Sequence, residues 1–231
     1  MKGEQKKVAD WFDKTYTRWG FSYLRAQEAY NIFVTLLKPN REDTHLDVAC
    51  GLGLMLRSMR NHDIKNLHGI DISSEAIKIA RKYIPDAELR VGNAEFLPYP
   101  DEIFDSITCL GSLERMLERD KVLKEQIRVA KQSAKFCYMV RNSENFTWRY
   151  VLKPLGLANK KGHQDALNLN EWKDLFSSNG FKIEFIYPDH WLYYKILRVV
   201  LFWKKIDTSR VYKFPLSLNF AYEFIFVLRK A

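Results

Sequence analysis

The sequence predicts an α/β protein built on a doubly wound, mostly parallel, seven-stranded sheet of Rossmann-like type. It adds a cover of helices before the first strand and a helical insertion between the last two strands. Three observations predict this. Short apolar runs alternate with amphipathic segments through the middle of the chain, the pattern of strand–helix units. The first apolar run ends in a glycine-rich turn, Ala49-Cys50-Gly51-Leu52-Gly53. The second ends in an acid, Asp71, 20 residues after Gly51.

The elements follow in order. Residues 4–18 and 22–37 read as two helices, the second stopped by Lys38-Pro39. Residues 45–50 and 67–71 read as the first two strands, with a helix over 54–60 between them. A helix over 73–84 takes its cap from Ser73 or Ser74 and stops before Pro85. Strands are then expected at 88–91, 104–110, 135–140, 181–187 and 222–228, and helices at 119–131 and 170–178, with Gly180 ending the latter. A chain of 231 residues is large enough for one such core and short for two. We therefore expect a single domain: N-terminal helices over 1–40, a ligand-binding core over 44–141, a substrate-side region with the insertion over 142–218, and a last strand over 219–231.

Composition narrows the class. With 47% hydrophobic and 28% charged residues the chain reads as globular, neither disordered nor low in complexity. Its net charge of +9 favours anionic surroundings without choosing among nucleic acid, lipid and phosphorylated ligands. Six basic residues against Asp207 alone crowd into 191–215. Cys50, Cys109 and Cys137 form no CxxC pair and lie in apolar runs, so reduced thiols and a cytoplasmic location are expected. The N-terminus has no apolar run of signal-peptide kind, and no uncharged run reaches the length of a membrane span. No His, Cys or Asp cluster has metal-ligand spacing, so no metal is expected.

Chemistry enters with the turn and the acid. Glycines let backbone approach a ligand closely. A GxG turn alone also fits a tight strand-to-helix connection with nothing bound. A carboxylate at the end of the second strand can accept hydrogen bonds from both hydroxyls of a ribose; the simpler, less favoured reading is that Asp71 caps the next helix.

A third segment is more specific: Gly92-Asn93-Ala94-Glu95-Phe96-Leu97-Pro98-Tyr99-Pro100-Asp101-Glu102-Ile103-Phe104-Asp105. Together with Leu46-Asp47-Val48-Ala49-Cys50-Gly51-Leu52-Gly53 and the acid at 71, it resembles the class I S-adenosylmethionine-dependent methyltransferases, in particular the type 11 group that includes the enzymes of ubiquinone and menaquinone biosynthesis. The likeness is collinear over about 44–141. It selects S-adenosylmethionine, with S-adenosylhomocysteine as product, over a nicotinamide dinucleotide. It implies that Asp47 and the backbone of Ala49, Cys50, Gly51 and Gly53 surround the methionine part. Asp71 is then the ribose ligand, Ile72 lies on the adenine face, Asn93 and Ala94 meet the adenine edge, and Leu110 lies near the sulfonium. Tyr16 is placed to reach the cofactor carboxylate. Two positions depart from the family pattern. Ala49 replaces a glycine, which is tolerable while φ stays negative. Asn93 replaces an aspartate and retains an acceptor oxygen.

The acceptor side is less legible. His163, followed by Asp165, is the one candidate general base, against the simpler reading of a loop histidine. Glu114 reads as a structural acid and Arg141 as a water-facing cation. The stretch 191–205 is basic and aromatic. It suits a buried or lid helix, a helix lying on a membrane surface, or a partner interface. The expected substrate is a small or amphipathic acceptor (quinone, lipid, glycolipid or natural-product precursor), handled in the cytoplasm or at the inner face of the membrane. An RNA methyltransferase and a non-catalytic cofactor-binding protein are the alternatives, nucleic acid being the less favoured partner. Oligomeric state is left open.

Overall fold

The computed structural model describes residues 3–146, 149–150, 154–155, 165–189, 191, 218 and 221–231. The seven predicted strands are all present: β1 (Thr44–Val48), β2 (Asn66–Asp71), β3 (Glu88–Val91), β4 (Phe104–Leu110), β5 (Ala130–Arg141), β6 (Phe181–Asp189) and β7 (Glu223–Lys230). They form one sheet in the order β3-β2-β1-β4-β5-β7-β6. β1 to β5 are parallel, and β7 runs antiparallel to both of its neighbours, β5 and β6. The chain winds outward from β1 to β3, then returns to lay β4 beside β1. That reversal opens a crevice beyond the carboxyl ends of β1 and β4, where ligands of such sheets bind.

Helices cover both faces. α2 (Asn31–Leu37), α3 (Leu54–Arg60) and α4 (Ser74–Tyr83) pack on one side, and α5 (Arg119–Val129) and α6 (Leu169–Ser178) on the other. The two-residue period of the strands divides the core between them. Cys137, Met139 and Ile225 face α2 and α3, whereas Phe136, Tyr138, Phe224 and Phe226 face α5 and α6. Trp172 of α6 is fully buried, and its indole N–H donates to the carbonyl of Arg141 at 3.0 Å.

Local chemistry explains the helix ends. Ser73 caps α4, its hydroxyl accepting from the Ala76 amide at 3.1 Å. Asn168 and Glu171 form a capping box at the start of α6. Gly180, at φ +82°, turns the chain out of that helix.

Three expectations are corrected. The helix read over 22–37 is broken: residues 20–23 and 27–30 are short 3-10 turns, residues 24 and 26 are extended, and only α2 is α-helical. The break has a polar cause. Gln27 donates to the Leu54 carbonyl and the Ser58 hydroxyl and accepts from Tyr83, while Arg25 reaches two buried carboxylates, Asp189 and Glu223. Second, α5 ends at Val129 rather than Lys131, because β5 already begins at Ala130 to pair with Phe104. Third, Ala49 lies at φ +58°, in the left-handed region where a Cβ is strained.

The last correction has a measurable consequence. Replacing Ala49 by glycine removes that strain, less the added flexibility of the unfolded chain. We expect Ala49→Gly to raise the melting temperature by about 2 °C, read by thermal denaturation of the ligand-free protein; a lower melting temperature would contradict the strain.

Among the described residues no helix is long and apolar enough to cross a membrane. The insertion read over 191–205 lies outside them except for Trp191.

Candidate functional site

The crevice is built from the turn after β1. Gly51 and Gly53 adopt φ +51° and +81°, and the turn is tied across to β2 by the Cys50 amide, which donates to the Ile70 carbonyl at 3.1 Å. Asp71 completes the tie. One of its carboxylate oxygens accepts from the Gly51 amide and the other from the Ser73 amide, each at 2.8 Å. The Ile72 amide also acts on this carboxylate, whose remaining acceptor capacity is open to a ligand. Burial raises the Asp71 pKa to about 6, against the pull of these amides, and Asp13 adds to the rise.

The two glycines serve different neighbours. A Cβ on Gly53 would lie 3.0 Å from Ile84, so that position permits close packing of the turn on the end of α4. A Cβ on Gly51 would lie 2.9 Å from the Tyr16 hydroxyl, on the cover helix α1 (Gly3–Trp19). α1 is latched to the start of α4. Asp13 accepts from the Ser73 hydroxyl at 2.5 Å, and from the Ser74 hydroxyl and the Glu75 amide at 3.2 Å each. At its other end Gln5 donates to buried Glu95 at 2.6 Å.

Between this cover and the strand ends lies a hollow. Its lining comes from five segments: Gln5, Val8, Phe12 and Tyr16 of α1; Ala49; Ile70, Asp71 and Ile72; Gly92 to Glu95; and Ser112 with Arg115, Met116 and Leu117 after β4. Of the residues singled out from sequence, Tyr16, Ala49, Asp71, Ile72, Asn93 and Ala94 line it together. Cys50, Gly51, Gly53, Asp47 and Leu110 do not appear on its wall. Asp47 sits beneath the turn, buried, accepting from the Thr108 hydroxyl at 2.6 Å. Burial raises its pKa to about 7; the Thr108 hydrogen bond opposes the rise and Asp71 adds to it. Asn93 uses its side-chain oxygen locally, accepting from the Glu95 amide at 3.1 Å.

Sequence reading missed the contribution of α1 beyond Tyr16, and Glu95, Arg115 and Met116. Gln5, Val8, Phe12 and Tyr16 recur at helical spacing, so the amphipathic face was a signal for a shared wall. Nothing in the sequence said which wall.

The acceptor side departs further. Arg141 does not face water: it pairs with Glu223 at 3.4 Å and lies 5.0 Å from the ring centre of Tyr222. Glu114 is completely buried. His163 lies outside the described residues. Buried His45 hydrogen-bonds Ser106 and Thr108, and burial lowers its pKa to about 3, so it is a neutral structural group. Among the described residues no cluster of three His, Cys, Asp or Glu side chains could hold a metal ion.

A reversal of strand order, a glycine turn and an acid ending the second strand define an α/β protein with a nucleoside-cofactor crevice. Residues 46–138 match the family described as "Methyltransferase domain". A demethylmenaquinone methyltransferase of Thermotoga maritima is 34% identical over 116 residues, 48% of this chain and 50% of the relative. The uncharacterized protein MJ1252 of Methanocaldococcus jannaschii is 32% identical over 168 residues, 72% of this chain and 61% of the relative. The matches therefore span less than two thirds of either relative. In fold, the chain superposes on geranyl diphosphate C-methyltransferase of Streptomyces coelicolor with a TM-score of 0.71, at 11% identity, covering 100% of this chain and 98% of that one. Over residues 46–138 the chain is thus similar to the S-adenosylmethionine-dependent methyltransferases, whose cofactor is S-adenosylmethionine.

The wall suits that cofactor. It offers a buried carboxylate with remaining acceptor capacity for a ribose, and apolar flanks in Ile70, Ile72, Ala94 and Met116 for an adenine.

Proposed function

We propose that this protein transfers a methyl group from S-adenosylmethionine to a small or amphipathic acceptor, with an apolar acceptor such as a quinone, lipid or glycolipid precursor preferred. The observation that carries the reading is the hollow beyond β1, β2 and β4 with Asp71 at its base. In it Asp71 holds the ribose hydroxyls, and Ile72 and Ala94 flank the adenine. Asn93 meets the adenine edge through its remaining acceptor and donor capacity. The backbone from Ala49 to Gly53 and the Tyr16 hydroxyl receive the amino-acid part. Asp47 acts from below by holding Thr108 and the turn, and Leu110 bounds the reactive end. The bound cofactor supplies an activated methyl group, while the chain binds, orients and excludes water.

Support for an apolar acceptor comes from two sides. The stretch 191–205 alternates basic with aromatic and aliphatic residues, a composition suited to a lid or to a membrane surface. Several curated relatives carry the name demethylmenaquinone methyltransferase. A cytoplasmic setting, at the inner membrane face when the acceptor is a lipid, agrees with three buried free cysteines.

The test is methyl transfer from methyl-labelled S-adenosylmethionine to demethylmenaquinol, other lipid-soluble phenols and amines, water-soluble amines and RNA. Label is expected in the lipid-soluble group. Transfer to water-soluble acceptors alone would overturn the acceptor class. Failure of the protein to bind S-adenosylhomocysteine in calorimetry would overturn the function.

A further inference from the structure

Among the described residues the wall of the hollow carries three charged side chains: Asp71, Glu95 and Arg115. Both acids are held. Asp71 accepts from the amides of Gly51 and Ser73, and Glu95 accepts from Gln5. Arg115 is the cation left over. It is half-buried, and its guanidinium forms no ion pair and donates no hydrogen bond among the described residues. The adjacent acid, Glu114, feels its charge, yet neither Glu114 oxygen accepts a hydrogen bond. What Arg115 does meet is aromatic. Its guanidinium carbon lies 5.9 Å from the ring centre of Trp11 and 5.8 Å from that of Phe12, both on α1. Such rings attract and orient a cation, but the five N–H donors of the fork still call for acceptors.

A second polar group stands beside it. Leu113–Arg115 is a single 3-10 turn, closed by the Arg115 amide donating to the Ser112 carbonyl at 2.9 Å. Side chains three residues apart eclipse on such a turn, and Ser112 and Arg115 both line the hollow. A planar fork with a hydroxyl beside it suits a carboxylate or a phosphate. Position distinguishes whose. The residues assigned to the cofactor follow β1, β2 and β3, and its carboxylate falls to the turn after β1 and to Tyr16. Ser112 and Arg115 follow β4, on the other side of β1 from Asp71. The aromatic surface next to Arg115 continues beyond Trp11. That ring packs edge-on against Tyr23, with centres 6.3 Å apart, and Tyr23 is 37% exposed.

We propose that Arg115, with the Ser112 hydroxyl, binds an oxyanion carried by the methyl acceptor. The acceptor is then an anionic amphiphile, with a carboxylate or phosphate on Arg115 and an apolar body against Trp11 and Tyr23. This rests on the methyltransferase reading above and narrows its acceptor class. Arg115 selects and positions the acceptor; it exchanges no proton with it, because a guanidinium stays charged at any working pH. In the labelled-methyl assay, label is expected in lipid-soluble acceptors bearing a carboxylate or phosphate ahead of neutral ones.

Calorimetry with model amphiphiles tests the subsite without knowledge of the acceptor. The full-length protein, saturated with S-adenosylhomocysteine, is titrated with octyl phosphate, octanoate and octanol. Wild type is expected to bind the better of the two anions at least about tenfold more tightly than the alcohol, the worth of one charge-assisted pair. Arg115→Ala should shrink that preference to about threefold or less and leave S-adenosylhomocysteine affinity within about threefold of wild type. Arg115→Lys keeps the charge without the fork and should restore part of the preference. It also provides the comparison should the alanine variant misfold. Equal binding of anions and alcohol by wild type overturns the proposal, as does an anion preference that survives Arg115→Ala. A third outcome assigns Arg115 to the cofactor's carboxylate and overturns it too: S-adenosylhomocysteine binding lost in Arg115→Ala while 5′-methylthioadenosine, which lacks the amino acid, binds as to wild type. A wild-type protein that binds neither nucleoside sinks the methyltransferase reading instead, and the anion preference is then read on the ligand-free protein.

Discussion

Asp71→Ala is expected to weaken S-adenosylhomocysteine binding by at least about 100-fold, measured by calorimetry. Two ribose hydroxyls donating to a buried carboxylate are charge-assisted bonds worth about 1.5–3 kcal/mol each, and each 1.4 kcal/mol is about tenfold in affinity. The alanine also strands the buried amides of Gly51 and Ser73, so it destabilises the ligand-free fold. Asp71→Asn separates the two effects. It keeps one acceptor oxygen and the side-chain volume, and should bind S-adenosylhomocysteine between wild type and alanine while melting closer to wild type. Undiminished binding by Asp71→Ala would remove the ribose role.

The same residue sets a pH dependence. Only the ionised carboxylate can accept from both hydroxyls, and Asp71 titrates near pH 6 because of its burial. Affinity for S-adenosylhomocysteine should therefore be level above about pH 7 and fall below 6, by at most about tenfold per pH unit. The folding contribution has the sign of a raised acid. The unfolded residue ionises near 3.8 and the folded one near 6. Between those values the folded state holds more protons, so this group's contribution to stability declines as pH rises and is constant beyond about 7. Acidifying from pH 7 to 5 should stabilise the ligand-free protein at this group while weakening its ligand binding.

Arg25→Ala should give the largest loss of stability of any surface-region substitution, about 3–5 kcal/mol. Its guanidinium bridges Asp189, at 2.8 Å, and Glu223, whose side chains are only 4% and 5% exposed. Removing the cation leaves two buried carboxylates, of which Glu223 keeps its pair with Arg141. A fall of about 10 °C or more in melting temperature is expected. Arg25→Lys should recover part of it, because an ammonium is a single point charge and does not span two carboxylates as a planar fork does. A change of under 2 °C for the alanine variant would mean that the ion network contributes nothing to the fold.

The balance between local and long-range information explains which features were legible. The strands and most helices could be read because their signals are local. Short apolar runs mark β1, β2 and β4, Ser73 marks the start of α4, and Gly180 marks the end of α6. The 22–37 segment misled because its apolar spacing is helical, while the break is imposed by partners distant in sequence. Gln27 meets Leu54, Ser58 and Tyr83, and Arg25 meets residues 164 and 198 positions away. Arg141 misled for the same reason: β5 ends beside the start of β7, and Glu223 is there.

The cofactor side depended chiefly on the sequence. Backbone groups and one acid bind this kind of ligand, and turn residues with an acid at a set interval leave a pattern in the chain. Ala49 marks the limit of that pattern. Its identity was plain, but its φ of +58° follows from the turn having to join β1 to α3 while its neighbours bond to Ile70 and Asp71. What only the tertiary structure decided is the wall supplied by α1, the burial of Glu114 and the five-group charge cluster of Arg25, Glu114, Arg141, Asp189 and Glu223. Each depends on segments that are far apart along the chain and meet only when β7 inserts between β5 and β6 and α1 folds over the strand ends. Electrostatic energy depends on distance in space and on exclusion of water, and neither is written in residue order.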